Sequence, residues 1–281
     1  MKIILTGTTG FVGTEVLAQA LANPHITSLI VLSRKPLPES ITENPKVTVK
    51  VIDDFLTYPD SLLEELAGAE GCVWTLGLAT SSSLPLYRKV NHEYTLAALE
   101  AFSRIPLAPG TPTARPFHFV YCSGAAAVRD PHKTKTLWFM GDMRRIRGDT
   151  EAALLAYHSN PQATTTSSSF QDGKGAAPAT PREMEISIVR PAMVVAREWT
   201  LHSMLFSLGP SIRVDRLAGA MVELVLGFYE DGSERKSEGE GGGDGKGKGT
   251  GKHDYEDSKG NSEGQSGVRV VENWQMDGWR G

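Results

Sequence analysis

Residues 1–13 read MKIILTGTTGFVG. The short apolar run KIILT (2–6) stops at Gly7, which is the pattern of a buried strand. FVGTEVLAQALA (11–22) then carries apolar residues at helical spacing until Asn23-Pro24 ends it. Three glycines, at 7, 10 and 13, fall where the strand passes into the helix. In a strand–turn–helix the first would permit a tight turn, the second would let backbone approach a pyrophosphate, and the third would let helix and strand pack closely. The helix N-terminus would offer free N–H groups and the positive end of its dipole to the phosphates. Thr8, Thr9, Phe11 and Val12 complete this candidate phosphate turn with Gly7, Gly10 and Gly13.

The rest of the chain repeats the same alternation. Apolar runs at 28–33, 47–52, 71–77, 117–123 and 185–195 read as strands. Helical spacing appears over 60–68, 85–104 and roughly 134–158. Strands alternating with helices predict an α/β protein: a doubly wound parallel sheet of the Rossmann type, with a small C-terminal substrate-side region. Near-continuous apolar strands suit a sheet covered on both faces, and its crossovers should be right-handed.

Two stretches break the alternation. Residues 160–182 are rich in Ser, Thr, Ala, Pro and Gly, and residues 230–267 run through EGEGGGDGKGKGTGK. Neither has enough apolar side chain to offset its ordering entropy, so both are expected to be disordered. The apolar segment VRVVENWQM (268–276) returns afterwards. The expected organisation is a dinucleotide-binding domain over 1–229 interrupted at 160–182, a low-complexity insertion at 230–267, and a segment 268–281 docking back.

A net charge of −4 over 281 residues gives no reason to expect a nucleic-acid partner. The two cysteines, Cys72 and Cys122, form no CxxC pair, and the seven histidines form no ligand cluster; no metal is expected. Both cysteines fall in apolar runs and are expected to be buried free thiols. The N-terminus reads as a strand, not a signal peptide. The apolar stretch Leu217 to Tyr229 is too short to span a bilayer. A cytoplasmic protein is expected, with a peripheral place on an organelle surface left open.

The second strand ends at Ser33-Arg34-Lys35. An NAD site places an acid near here to accept from the ribose 2′-OH; two cations and a hydroxyl instead suit a 2′-phosphate. Arg34 can fork onto it and Lys35 adds charge. The expected cofactor is NADP(H).

TGTTGFVG, Asp53 after the third strand, Leu76-Gly77 after the fourth, Ser123 after the fifth and Val189-Arg190-Pro191 after the sixth together resemble the short-chain dehydrogenase/reductase superfamily. The spacing is similar to its extended and atypical branches, in particular the Tat-interacting oxidoreductase-like group and its fungal relatives. The likeness covers about 1–158 and 184–229, with a weaker echo in VVENW. It implies that Asp53 meets the adenine amino group, that Leu76 and Gly77 line the adenosine ribose, and that Pro191 shapes the nicotinamide end. It also implies that Ser123 holds a substrate carbonyl.

In that group a tyrosine and a lysine four residues apart are followed by Gly-x-x-Glu. The corresponding stretch here is Met143-Arg-Arg-Ile-Arg147-Gly148-Asp-Thr-Glu151. Where the pair is intact, the phenol exchanges a proton with the substrate oxygen. The cation lowers the phenol's pKa from near 10 and holds the nicotinamide ribose. Arg147 keeps a cation able to bond ribose hydroxyls, but Met143 has no proton to transfer. No register shift helps, because no tyrosine lies between Tyr121 and Tyr157. One reading is an NADP(H)-binding protein with weak or no ordinary carbonyl reductase activity, acting through a protein partner. Another is an active NADPH-dependent oxidoreductase on a small carbonyl substrate, with its proton from His132, Asp142 or water. A third is a decayed gene product, suggested by the low-complexity stretches. Fold alone does not choose between them. Trp199, Met204, Leu205 and Phe206 could line a small apolar pocket, though core packing is their commoner role.

Overall fold

The computed structural model describes residues 1–108, 110, 116–130, 140–159, 182–197, 210–227 and 267–277. Its strands are β1 (Lys2–Thr6), β2 (Ser28–Ser33), β3 (Val47–Val51), β4 (Gly71–Trp74), β5 (Phe117–Cys122), β6 (Met184–Arg190), β7 (Met193–Val195), β8 (Ser211–Arg213) and β9 (Val268–Glu272). Seven of them form one sheet in the order β3-β2-β1-β4-β5-β6-β9, and every neighbouring pair is parallel. β7 and β8 pair separately. The order reverses between β1 and β4, and open α/β sheets bind ligands in the crevice beyond the strand C-termini at such a reversal.

Helices cover both faces. Among the described residues the α-helices are α1 (Phe11–Ala22), α2 (Glu39–Thr42), α3 (Asp60–Glu65), α4 (Leu84–Arg88), α5 (Tyr94–Ser103), α6 (Gly141–Ser159), α7 (Val214–Leu226) and α8 (Asn273–Asp277). Successive strand residues point to opposite faces, so Ile3 and Leu5 join one core and Ile4 the other. On the first face Val73 and Val120 pack with Val16 and Leu17 of α1 and Leu217 and Met221 of α7. On the second, Trp74 and Phe119 pack with Leu63 of α3, Phe102 of α5 and Leu154 of α6. The Trp74 and Phe119 rings stack at 6.0 Å.

Several boundaries differ from the sequence reading, each for a physical reason. The fourth strand stops at Trp74 rather than Gly77, because Thr75 turns aside to donate its hydroxyl to the Thr6 carbonyl at 2.6 Å. The helical run expected over 85–104 contains a π-turn at Lys89–Glu93 between α4 and α5. The sixth strand breaks after Arg190, where Pro191 has no N–H to continue the ladder. The apolar stretch from Leu217 is the inner part of α7, which ends on Gly227 in the left-handed region.

Residues 268–272 enter the sheet as its seventh strand, beside β6. Cys72 is buried, Cys122 is half-buried, and both are free thiols. Cys72 pairs across the ladder with Phe119, three residues before Cys122, which separates the two cysteines by about 10 Å along the strand. Burial pushes both thiols up, Cys122 to about 11, so neither is a nucleophile at neutral pH. Most of 160–182 and 230–267, together with His132 and the segment holding Trp199, Met204, Leu205 and Phe206, lies outside the described residues. Among the described residues no helix is long and apolar enough to cross a membrane, and no His, Cys, Asp and Glu group could hold a metal.

Candidate functional site

The residues singled out in the sequence gather along one edge. β1, β2, β4, β5 and β6 are parallel and end at Thr6, Ser33, Trp74, Cys122 and Arg190. Gly7–Gly13, Arg34 and Lys35, Leu76 and Gly77, Ser123 and Pro191 follow those ends directly, and Asp53 lies just past β3. Arg147 reaches the same edge from α6.

The turn between β1 and α1 is built by its glycines. Gly7 has φ +70°, and a Cβ there would lie 2.6 Å from the Thr75 carbonyl carbon. A Cβ on Gly13 would stand 2.1 Å from the Gly7 oxygen, so only glycine lets α1 pack this close. Gly10 donates its N–H to the Gly7 carbonyl at 2.9 Å. The first turn of α1 has no acidic residue and no side-chain cap, which leaves its N–H groups available to an anion. The Thr8 hydroxyl is buried with no hydrogen-bond partner, although buried polar groups ordinarily have one. An uncapped helix start, glycines where Cβ atoms would crowd the turn and an unsatisfied hydroxyl all fit a dinucleotide's phosphates.

Arg34 and Lys35 are exposed at the end of β2, and Lys35 N–H donates to the Ser33 hydroxyl at 3.2 Å. Asp53 is exposed, whereas its neighbour Asp54 is paired with Lys89 at 3.1 Å. The loop after β4 is held by Asn91, whose side-chain oxygen accepts from Leu78 N–H at 3.1 Å. A Cβ on Gly77 would fall 2.8 Å from that oxygen. Asn91 sits in the π-turn, a deviation that often marks a functional position. Pro191 is buried, and its carbonyl accepts from Ala125 N–H at 2.8 Å.

Arg147 is half-buried and anchored on three sides. Its Nε donates to the Tyr87 phenol oxygen at 2.8 Å, Nη2 to the Leu78 carbonyl at 3.0 Å and Nη1 to the Ser123 carbonyl at 3.2 Å. Burial works against its charge, but the neighbouring phenols of Tyr121 and Tyr87 more than compensate, so its pKa lies above the ordinary arginine value. Five N–H groups less three leave two for a ligand. Met143 stands one turn earlier on the same helix and is half-buried. Asp142, the other donor considered above, is exposed and accepts from Arg145 at 3.1 Å.

Ser123 lies just past the end of β5, against α6. It is only 6% exposed, and its hydroxyl donates to Glu151 Oε1 at 2.5 Å. That proton is directed towards α6. Glu151 itself is 0% exposed. Burial raises its carboxyl above the usual range, while the Ser123 hydrogen bond, Arg190 and Arg129 pull the other way. The Gly-x-x-Glu spacing was the only mark of Glu151 in the sequence. Nothing in the sequence pointed to Tyr87 or Asn91, which meet Arg147 and Thr150 of α6 across 60 and 59 residues and only through tertiary packing.

No protein-family model matches this chain. Leucinostatins biosynthesis cluster protein T of Purpureocillium lilacinum is 31% identical over 161 residues, 57% of this chain and 54% of that protein. The chain therefore spans about half the length of that relative. Among solved structures, yeast methylglyoxal/isovaleraldehyde reductase Gre2 complexed with NADPH is similar at TM-score 0.56 and 14% identity, over 79% of this chain and 73% of Gre2. An oxidoreductase of the short chain dehydrogenase/reductase family from Burkholderia thailandensis matches at TM-score 0.52 and 14% identity, over 99% and 94%. The resemblance read from the motifs therefore holds at the level of fold: this chain is built on the parallel α/β scaffold of the short-chain dehydrogenase/reductase oxidoreductases and has a fungal protein among its relatives.

Proposed function

We propose that this chain is an NADP(H)-binding protein of the short-chain dehydrogenase/reductase type whose ordinary carbonyl reductase activity is weak or lost. The observation that carries the binding half is the turn from Gly7 to Gly13, with its uncapped helix start and the unpartnered Thr8 hydroxyl. Its N–H groups would take the phosphates, Arg34 and Lys35 the 2′-phosphate, and Asp53 the adenine. Leu76 and Gly77 would line the adenosine ribose, and Arg147 would bond the nicotinamide ribose near Pro191. The bound dinucleotide would supply hydride chemistry, which is the cofactor's own. NADPH accompanies the similar Gre2 structure, which supports the same class of ligand here.

The loss of activity follows from Met143. A general acid must lie within hydrogen-bond reach of the oxygen it protonates, and a thioether has no proton to give. Arg147 cannot stand in, since a guanidinium does not deprotonate in proteins.

Calorimetric titration with NADPH and with NADH tests the binding half. NADPH should bind about tenfold more tightly, roughly 1.4 kcal/mol, and Arg34→Ala should erase most of that difference. Equal affinities in the wild type would remove the case for NADP(H).

A second reading, an active reductase with another proton donor, is favoured by Tyr87. Its oxygen accepts from Arg147, so its own proton is free to be given elsewhere. Against this, the residue is only 1% exposed, and a substrate oxygen would have to reach a phenol enclosed in this structure. If Tyr87 is the donor, Tyr87→Phe should cut carbonyl turnover by about 10²-fold or more while NADPH still binds. Equal turnover in the variant rules Tyr87 out.

A further inference from the structure

We propose that the C-terminal strand is a working part of the candidate site, through a closed ring of four alternating charges in which Glu272 and Arg129 position the nicotinamide half. The proposal rests on the dinucleotide reading above. Arg129 Nε lies 3.0 Å from Glu151 Oε2, and Arg190 Nε lies 3.2 Å from Glu151 Oε1, both as ion pairs and not as hydrogen bonds. Arg190 Nη1 is 2.7 Å from Glu272 Oε1, and Arg129 Nη2 closes the ring to the same oxygen at 4.0 Å. Four segments far apart in sequence meet here: the loop after β5, helix α6, the end of β6 and the end of β9.

Charge balance gives the ring its sense. Glu151 is wholly buried and the Arg190 side chain is 13% exposed. Two arginines facing Glu151 alone would leave one positive charge uncompensated. The Arg129 side chain keeps water at 36% exposure, but Arg190 is largely shut off from it, and an unpaired buried charge is costly. Glu272 makes the ring neutral, although it follows Glu151 by more than a hundred residues.

The ring also touches what the site uses. Glu151 holds the Ser123 hydroxyl, and the Ser123 carbonyl holds Arg147. Arg190 directly precedes Pro191 and donates from Nη2 to the Ala127 carbonyl at 2.8 Å, tying the β5 and β6 loops together. Beside Glu272, the Asn273 side-chain oxygen accepts from Ala192 N–H at 2.9 Å, one residue past Pro191. Glu272 at the end of β9 and Asn273 at the start of α8 thus grip both sides of Pro191, and the ring reaches, through Glu151 and Ser123, the backbone that anchors Arg147. These four residues position others; none is assigned contact with a substrate.

The test uses the full chain and three variants: Glu272→Gln, Arg129→Gln and the two together. Gln keeps the shape of Glu272 and removes its charge. Each single change should weaken NADPH binding by about two- to thirty-fold, the range seen when a network residue is altered away from a ligand. The double variant leaves Arg190 facing Glu151, neutral again, and should recover most of the affinity. Residues in contact couple whatever their role, so the mark of charge balance is that the double variant binds more tightly than either single one. Amide hydrogen exchange of the ligand-free protein supplies a second readout: Glu272→Gln should speed exchange over 123–129 and 144–151, and the double variant should slow it again. If Glu272→Gln binds NADPH as tightly as the wild type, or the double variant shows additive loss, the ring does not position the site. A wild type that binds no NADPH overturns the dinucleotide reading, and the positioning role falls with it even where exchange shows the ring intact. Should Glu272→Gln fail to fold, the Arg129→Gln variant decides alone, because Arg129 sits at the rim with a 36% exposed side chain.

Discussion

Gly148→Ala should destabilise this protein by about 3 kcal/mol or more, the upper range for forcing extra atoms into a packed interior. A Cβ at this position would stand 1.8 Å from the Val128 carbonyl oxygen and 2.2 Å from its carbon, with the Arg129 nitrogen at 2.9 Å. All three are backbone atoms, so no rotamer change relieves the clash. Either α6 must move away from the loop after β5, or the loop must move. Either shift would also pull Arg129 from Glu151 and the Ser123 carbonyl from Arg147. For a domain of this size a loss of about 3 kcal/mol lowers Tm by roughly 6–12 °C. The control is Gly124→Ala in the same loop, where a Cβ would meet only the Pro191 oxygen at 3.9 Å. Thermal melts of the two alanine variants should differ sharply. Equal melting points would show that α6 and the loop do not approach as described.

Met143→Tyr combined with Arg147→Lys should raise NADPH-dependent reduction of simple carbonyl compounds. Positioned general acid catalysis contributes about 10²–10⁴-fold, and the double change should regain part of that factor. A tyrosine at 143 would stand one turn from the cation on the same helix face. A lysine at 147 would lose the three-point anchorage of the guanidinium but keep three donors for the Leu78 and Ser123 carbonyls and a ribose hydroxyl. The measurement is turnover by wild type and double variant on one panel of aldehydes and ketones, beside NADPH affinity for each. A wild type that already turns over quickly would show that another group supplies the proton, and Tyr87 is then the first residue to change. A double variant that binds NADPH but stays as slow as the wild type would show that the missing phenol is not what limits the reaction.

Much of the scaffold was legible because its signals are local. Gly7, Gly10 and Gly13 announce themselves by spacing after a short apolar run, and their roles depend on backbone only a few residues away. KIILT, SLIVLS and FHFVYC read as strands since burial on both faces demands unbroken apolar sequence. That Met143 and Arg147 share a helix face was likewise plain, because position i+4 on a helix is a matter of counting.

What only the tertiary structure decided depends on residues that meet across long separations. Tyr87, in α4, reaches Arg147 from sixty residues away. The Ser123 hydroxyl, which the family resemblance assigns to a substrate carbonyl, donates to Glu151 once α6 packs down. Arg190 and Glu272 were one charge in a strand exit and one near the end of the chain. Side-by-side pairing of β6 with β9 places them 2.7 Å apart. Charges carry no periodic signature, so their partners emerge only when the sheet order is set. The sequence by itself determined the parallel α/β scaffold, the glycine turn and a methionine at position 143 where the family resemblance implies a tyrosine. Packing alone decided which polar groups are left to meet a ligand, because each buried charge must find its counter-charge wherever the fold brings one.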